Sequence, residues 1–292
     1  MGKIRKYLCS LLVMLIFMAM PVTVKADIGP KPSVVIEFVG MEEQEYYATL
    51  LSEKRSTGPW SQGNPYYDYM GEAWVFEEFA NYEDVDGYYF LSFMQDCSED
   101  DTFEWTYYPP QRFKVLIYAV EDKQFYCSEE IYERYAFDSY FTVTVSKDDN
   151  ALGEAGITAQ KSYDFSWELL SLAVRIVLTI GIEIAIAFLF GYKDRKSLKI
   201  IGITNICTQV VLNVLLNVIN YRSGQMAFAF HYVWMEVVVF LVEAFIYKRL
   251  LDKTDVVSGK ERNSAIYAYA LVANGVSFAL GIWLARVVPG IF

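Results

Sequence analysis

The feature that most constrains this chain is a run of long apolar segments in its C-terminal part, at residues 167–192, 200–221, 228–247 and 265–288. Each reaches or exceeds the roughly 20 residues that a helix needs to cross a hydrocarbon core about 30 Å thick. A bilayer interior offers no water to backbone N–H and C=O groups, so a lone segment that crosses it must be helical. The four segments therefore predict a transmembrane four-helix bundle over residues 164–292.

The connections predict its orientation. Residues 192–199 carry Lys193, Arg195, Lys196 and Lys199, and residues 248–263 carry Lys248, Arg249, Lys253, Lys260 and Arg262. Short basic loops stay in the cytoplasm, which leaves the 222–227 connection, with Arg222 alone, on the outside. The N-terminus agrees: Lys3, Arg5 and Lys6 precede an apolar stretch at 8–20, followed by Pro21, Val24 and Ala26. That is the layout of a cleavable signal peptide over residues 1–26, with Asp27 as the first mature residue. The expected location is the cell membrane, with the domain before the first span and the C-terminus both outside.

Residues 27–163 differ in kind. They hold 27 acidic and nine basic side chains, a net charge of −18, whereas the rest of the chain is +7. Such a domain has no basic face for nucleic acid. Apolar and polar residues alternate at 34–39, 46–51, 88–93, 113–120, 124–127 and 140–145, which predicts strands of a β-sandwich. Residues 72–82 place Trp74, Phe76, Phe79 and Tyr82 at helical spacing. The expected fold is thus α+β: a β-sandwich-like extracytoplasmic domain followed by the helical bundle.

Several features of this domain are candidate sites. Trp60, Tyr66, Tyr67, Tyr69 and Tyr108 form an aromatic set that would suit a ligand surface if exposed and a core if buried. Cys97 and Cys127, the two of four cysteines that fall in this domain, either form a disulfide or remain free thiols. The carboxylates Glu83, Asp84 and Asp86, and Asp96, Glu99, Asp100, Asp101 and Glu104, lack the spacing of a calcium loop and read as solvated acidic loops. No metal or cofactor is expected.

The stretches Asp27-Ile28-Gly29-Pro30-Lys31-Pro32-Ser33, Tyr108-Pro109-Pro110 and Ile131-Tyr132-Glu133-Arg134-Tyr135-Ala136-Phe137-Asp138-Ser139-Tyr140 resemble a family of exported Gram-positive membrane proteins with no known activity. The resemblance spans the mature chain and implies this layout and a monoderm setting. It carries over no site residue.

Ionisable and amide side chains at bilayer depth are costly and commonly functional. Arg175, Glu183, Asn205, Gln209, Asn213, Glu236, Glu243 and Asn274 all fall inside the apolar segments. Asn205, Gln209, Asn213 and Asn217 recur every four residues and share a helix face, which must point inward. By depth, Arg175 and Glu236 are expected to form an ion pair, with Glu183, Asn205, Gln209 and Asn274 in a second layer, while Glu243 snorkels toward Lys248 or Arg249. Ala270, Asn274, Ser277 and Gly281 would let helices approach closely.

Enzymatic motifs are missing: there is no GxSxG, P-loop, GxGxxG, SxxK or HExxH, and the single histidine, His231, lies near a span end. The leading expectation is a non-enzymatic binding, sensor or accessory subunit. Its partners would be the lipid bilayer and a membrane protein or a second copy, with an extracellular ligand of unknown kind. The alternative is a small ion- or proton-coupled transporter using Glu183 and Glu236.

Overall fold

The computed structural model describes residues 29–62, 73–146, 156–251 and 261–287. The chain separates into two compact units at the boundary between Tyr163 and Asp164. The expected signal peptide, and Tyr66, Tyr67 and Tyr69, lie outside the described residues.

The first unit is β-rich. One sheet has the order β11 (Gly156–Lys161), β10 (Asp138–Ser146), β1 (Ser33–Val39) and β6 (Thr102–Trp105). Within it β1 and β10 run parallel, from Ser33 opposite Asp138 to Val39 opposite Thr144. The other sheet has the order β5 (Gln95–Asp96), β2 (Tyr46–Ser52), β7 (Arg112–Ala119) and β8 (Gln124–Cys127), with β9 (Tyr132–Glu133) also on β7. A two-stranded ribbon of β3 (Ser56–Thr57) and β4 (Trp60–Ser61) follows β2 in the chain.

Period-two alternation explains how the sheets meet. Val34, Ile36 and Phe38 of β1 and Phe141, Val143 and Val145 of β10 join Tyr46, Ala48 and Leu50 of β2 and Phe113, Val115 and Ile117 of β7 in one buried cluster. Every residue of β2 is buried because its other face is also covered. Tyr47 and Leu51 pack there with Leu116 and Tyr118 of β7 and with Val75 and Phe79 of α1 (Ala73–Asn81).

Residues 88–93, expected as a strand, make only an isolated bridge between Tyr89 and Ser52. Ser92 takes a positive φ of 57°, which breaks the extended run while its apolar neighbours Phe90, Leu91 and Met94 are buried. Gly58 has φ +54°, and a Cβ placed on it would lie 2.5 Å from the Tyr108 ring. Gly58→Ala is therefore expected to destabilise the β-rich unit by about 1–3 kcal/mol, read as a lower denaturant midpoint in tryptophan fluorescence.

The second unit is helical. α2 (Phe165–Leu189) starts on Asp164, whose carboxylate accepts the Ser166 N–H at 2.8 Å. α3 (Arg195–Leu250) starts on Asp194, which accepts the Ser197 N–H at 2.8 Å. α4 covers Glu261–Val287. Among the described residues, three helices, not the four separate ones expected, are long and apolar enough to cross a membrane: Glu168–Leu189, Arg195–Leu250 and Ala265–Trp283.

The difference lies at residues 222–227, expected as a loop. They stay helical apart from Gly224, whose φ of 80° and ψ of 174° interrupt the 56-residue α3. The Asn205 amide donates to the Tyr247 hydroxyl at 3.0 Å, although 42 residues separate them in sequence. In a straight helix that spacing is about 63 Å. The chain thus doubles back at Gly224 into antiparallel arms, 195–223 and 225–250. Glycine suits the reversal because a Cβ penalises positive φ.

Candidate functional site

The helical unit assembles its polar side chains in two groups. Near the Gly224 end, Arg175 of α2 donates to Asn213 Oδ1 at 3.1 Å and to Ser171 Oγ at 2.9 Å. Asn213 in turn donates to the Gln209 carbonyl at 2.8 Å and to its side-chain oxygen at 3.2 Å. The expected ion pair between Arg175 and Glu236 is not what forms. The two side chains line one cavity with Tyr232 and Asn213, but the guanidinium donates to Asn213 and Ser171 and lies over the Phe228 ring.

The second group joins α2, both arms of α3 and α4. Asn205 donates to Glu183 Oε2, which also accepts from the Tyr247 hydroxyl at 3.3 Å. Thr208 donates to Glu243 Oε1 at 2.5 Å, and Asn274 donates to Glu243 Oε2 at 2.8 Å. The Tyr269 hydroxyl donates to the Glu183 backbone carbonyl at 3.3 Å. Glu183, Asn205, Thr208, Glu243, Tyr247 and Tyr269 have no exposed surface at all.

Glu243 therefore does not snorkel. It is held in the interior by Thr208 and Asn274, while Lys248 and Arg249 lie over the rings of Tyr267 and Phe245. Close approach is possible because Ala187, Ala244, Ala270 and Ala273 are buried where the helices meet. Of the partners in this group, Thr208 and Tyr269 were not singled out by sequence, and Tyr247, which sequence places in an interfacial belt, is instead fully buried. The signal was helical spacing: Thr208 follows Asn205 by three residues and Tyr247 follows Glu243 by four, so each shares a face with the polar residue before it.

Glu236 occupies a different place. It is half-buried and lines a groove of about 190 Å³ between the 225–250 arm and α4, together with Val233, Val237, Phe240, Leu271, Gly275 and Phe278. Gly275 leaves the groove open, since a Cβ there would touch nothing within 4 Å. Asn274 also reaches the groove, which is otherwise apolar. His231, by contrast, is tied to its own helix, its Nδ1 lying 2.7 Å from the Ala227 carbonyl oxygen.

In the β-rich unit, the candidate aromatics that are described serve packing. Trp60 donates its indole N–H to the Tyr107 carbonyl at 2.7 Å and packs on Phe93 and Trp105. Tyr108 lies against Gly58, with the Lys31 ammonium over its ring. Cys97 and Cys127 are free thiols. They belong to clusters on opposite faces of the second sheet, which keeps the two sulfurs apart. Burial pushes both thiols up, Cys127 to about 11, so neither is a nucleophile at neutral pH.

Asp84 overturns the reading of a solvated acidic loop. Its side chain is 1% exposed and accepts the Lys114 ammonium at 3.0 Å, and Asp86 accepts the same ammonium. Asp84 Oδ2 also accepts the backbone N–H groups of Asp86 and Tyr88. Burial pushes the Asp84 carboxyl up, but the Lys114 bond and these N–H groups outweigh it and hold it below the usual range. A depressed folded value means its stabilisation is complete above about pH 4 and is lost as pH falls through that value. Asp84→Asn is thus expected to flatten the acid limb of the stability–pH curve, measured by denaturant titration between pH 2 and 6. Among the described residues, no group of three or more His, Cys, Asp or Glu could hold a metal ion.

No protein-family model, no curated protein and no solved structure matches the chain. What the chain itself defines is a class: an N-terminal β-rich unit followed by helices long and apolar enough to cross a membrane, as in a membrane protein.

Proposed function

We propose that this chain is a non-enzymatic accessory or sensor subunit of the cell membrane, exported by its signal peptide. Its β-rich unit is a sandwich outside the membrane that recognises a ligand or protein. Its helical unit crosses the bilayer four times, each arm of α3 being one pass, and docks with a membrane partner.

The observation that carries the reading is an apolar groove between the 225–250 arm and α4 whose lining includes Glu236. A carboxylate at bilayer depth costs roughly 2.5 kcal/mol or more, and lipid tails offer it no hydrogen bond. The occupant that fits is a partner helix laying apolar side chains against Val233, Val237 and Leu271 and covering Glu236, whose carboxylate is hydrogen-bonded on the inner side by Tyr232. A photocrosslinking residue at Val237 tests this in native membranes. The reading expects one discrete adduct, lost on Glu236→Leu at unchanged abundance; adducts with lipid alone contradict it, and an adduct of twice the chain mass identifies a second copy as the partner.

The second reading, an ion- or proton-coupled transporter using Glu183 and Glu236, draws on the full burial of Glu183. Glu183→Gln and Glu236→Gln separate the two. Lost transport at normal abundance favours the transporter, and lost complex assembly favours the accessory subunit.

A further inference from the structure

Glu183 and Asn205 are joined by one hydrogen bond, from the Asn205 amide to Glu183 Oε2. The other oxygen of each group, Glu183 Oε1 and Asn205 Oδ1, is buried with no partner. Both orphans are acceptors. A carboxylate has no hydrogen to donate, and an amide oxygen has none either, so the pair is one hydrogen short. Turning the amide over only moves the deficit to the other edge of the pair.

We infer that Glu183 and Asn205 form a proton-binding site, with the carboxylic acid O–H of Glu183 donated to the amide oxygen of Asn205. A planar carboxylic acid and a planar primary amide are complementary along one edge: N–H to one carboxyl oxygen, and O–H back to the amide oxygen. One proton then satisfies both orphaned atoms, each of which would otherwise bear the desolvation penalty of a buried unmade hydrogen bond.

The surroundings favour a proton over other positive charges. Arg175 lies eight residues along α2, about 12 Å, and donates to Ser171 and Asn213. A dehydrated metal ion needs several anionic or imidazole ligands, and among the described residues no group of three or more His, Cys, Asp or Glu could hold one. A proton needs no such set. Facing the pair are Tyr247 and Glu243 from the 225–250 arm, Thr208 from the 195–223 arm and Tyr269 from α4. Each oxygen of Glu243 already has a side-chain partner, Thr208 on one and Asn274 on the other, so neither is orphaned. Protonating Glu183 rather than Glu243 thus matches the bonds present and halves the charge that the interior must hold.

The site ties α2 to both arms of α3. Loss of the proton would leave a buried charge with one oxygen unpartnered, so release is coupled to separation of these helices. This holds whatever occupies the Glu236 groove and whether or not protons cross the membrane.

Infrared spectroscopy of the full chain in nanodiscs, in H₂O and D₂O, is the test. The expected wild-type spectrum contains a protonated-carboxyl carbonyl band that shifts on deuteration. Glu183→Gln, which replaces the acid by an amide able to make the same two bonds, keeps the fold and loses one carboxyl's intensity. Glu243→Gln keeps that intensity. Asn205→Ala shifts the band to higher frequency without abolishing it, because the acid persists with its acceptor removed. If Glu183→Gln does not fold, the wild-type and Asn205→Ala bands still decide. The inference is overturned if wild type has no such band, if Glu243→Gln rather than Glu183→Gln removes it, or if the melting temperature drops when choline replaces sodium and potassium.

Discussion

Lys114→Ala costs the β-rich unit about 3–5 kcal/mol, the penalty for breaking a buried ion pair from one side. The ammonium is 2% exposed, and the carboxylate it leaves behind, Asp84, is 1% exposed. Truncation therefore strands a buried charge that keeps the Asp86 and Tyr88 N–H groups and the weak Cys127 thiol donor as partners. Against a typical domain stability of about 5–15 kcal/mol, the loss is large enough to populate unfolded chains at body temperature. The double variant Lys114→Met with Asp84→Leu is expected to recover most of it, because the pair together offsets its own desolvation only in part. Arg112 and Glu53 serve as the control. They also form an ion pair, at 3.1 Å, but are 48% and 33% exposed, and Arg112→Ala is expected to cost about 1 kcal/mol or less. Denaturation midpoints of the four proteins check the set.

Asn274→Leu is the corresponding lesion in the helical unit. It removes the donor to Glu243 Oε2, leaving that oxygen buried without a partner, at a cost of about 1–3 kcal/mol. Substituting Glu243→Leu as well removes the stranded acceptor and is expected to restore much of the loss. Hydrogen bonds between helices in membranes are worth only about 0.6 kcal/mol on average. A single variant that loses much more than this, and is rescued by the second, shows that the penalty comes from the orphaned carboxylate and not from the lost bond. Thermal aggregation of the detergent-solubilised protein and its abundance in membranes are the two readouts.

These two sites also show where sequence reading reached and where it stopped. The strands β1, β2, β7, β8 and β10 and the helix α1 lie within about two residues of their expected bounds, because alternation and helical spacing are local signals. β6 and β11 escaped notice: Thr102–Trp105 buries Phe103 and Trp105 but is only four residues long and follows an acidic run, and Gly156–Lys161 has one buried residue, Ile157. Lys114 was illegible for a different reason. Both faces of β7 are covered, and its partner Asp84 is 30 residues away, so only tertiary contact distinguishes a buried aspartate from the acidic loop around it.

In the helical unit, the four-residue recurrence of Asn205, Gln209, Asn213 and Asn217 marked an inward face; the first three are buried and Asn217 is partly exposed. Depth alone misassigned Arg175, which goes to Asn213 rather than Glu236, because rise along a helix says nothing of rotation about its axis. The reversal at Gly224 was placed correctly in sequence but expected as a loop. A single positive-φ glycine achieves the turn while the flanking residues remain helical.

The account rests on α3 entering and leaving the membrane from the same side, with Gly224 at the far surface. Single cysteines placed by Gln225→Cys and Lys196→Cys, both at exposed positions, in a chain freed of its native cysteines, test this with a membrane-impermeant maleimide on intact cells. The account predicts labelling at 225 without permeabilisation and at 196 only after it. Labelling of both positions in intact cells, or of 225 only after permeabilisation, would contradict it.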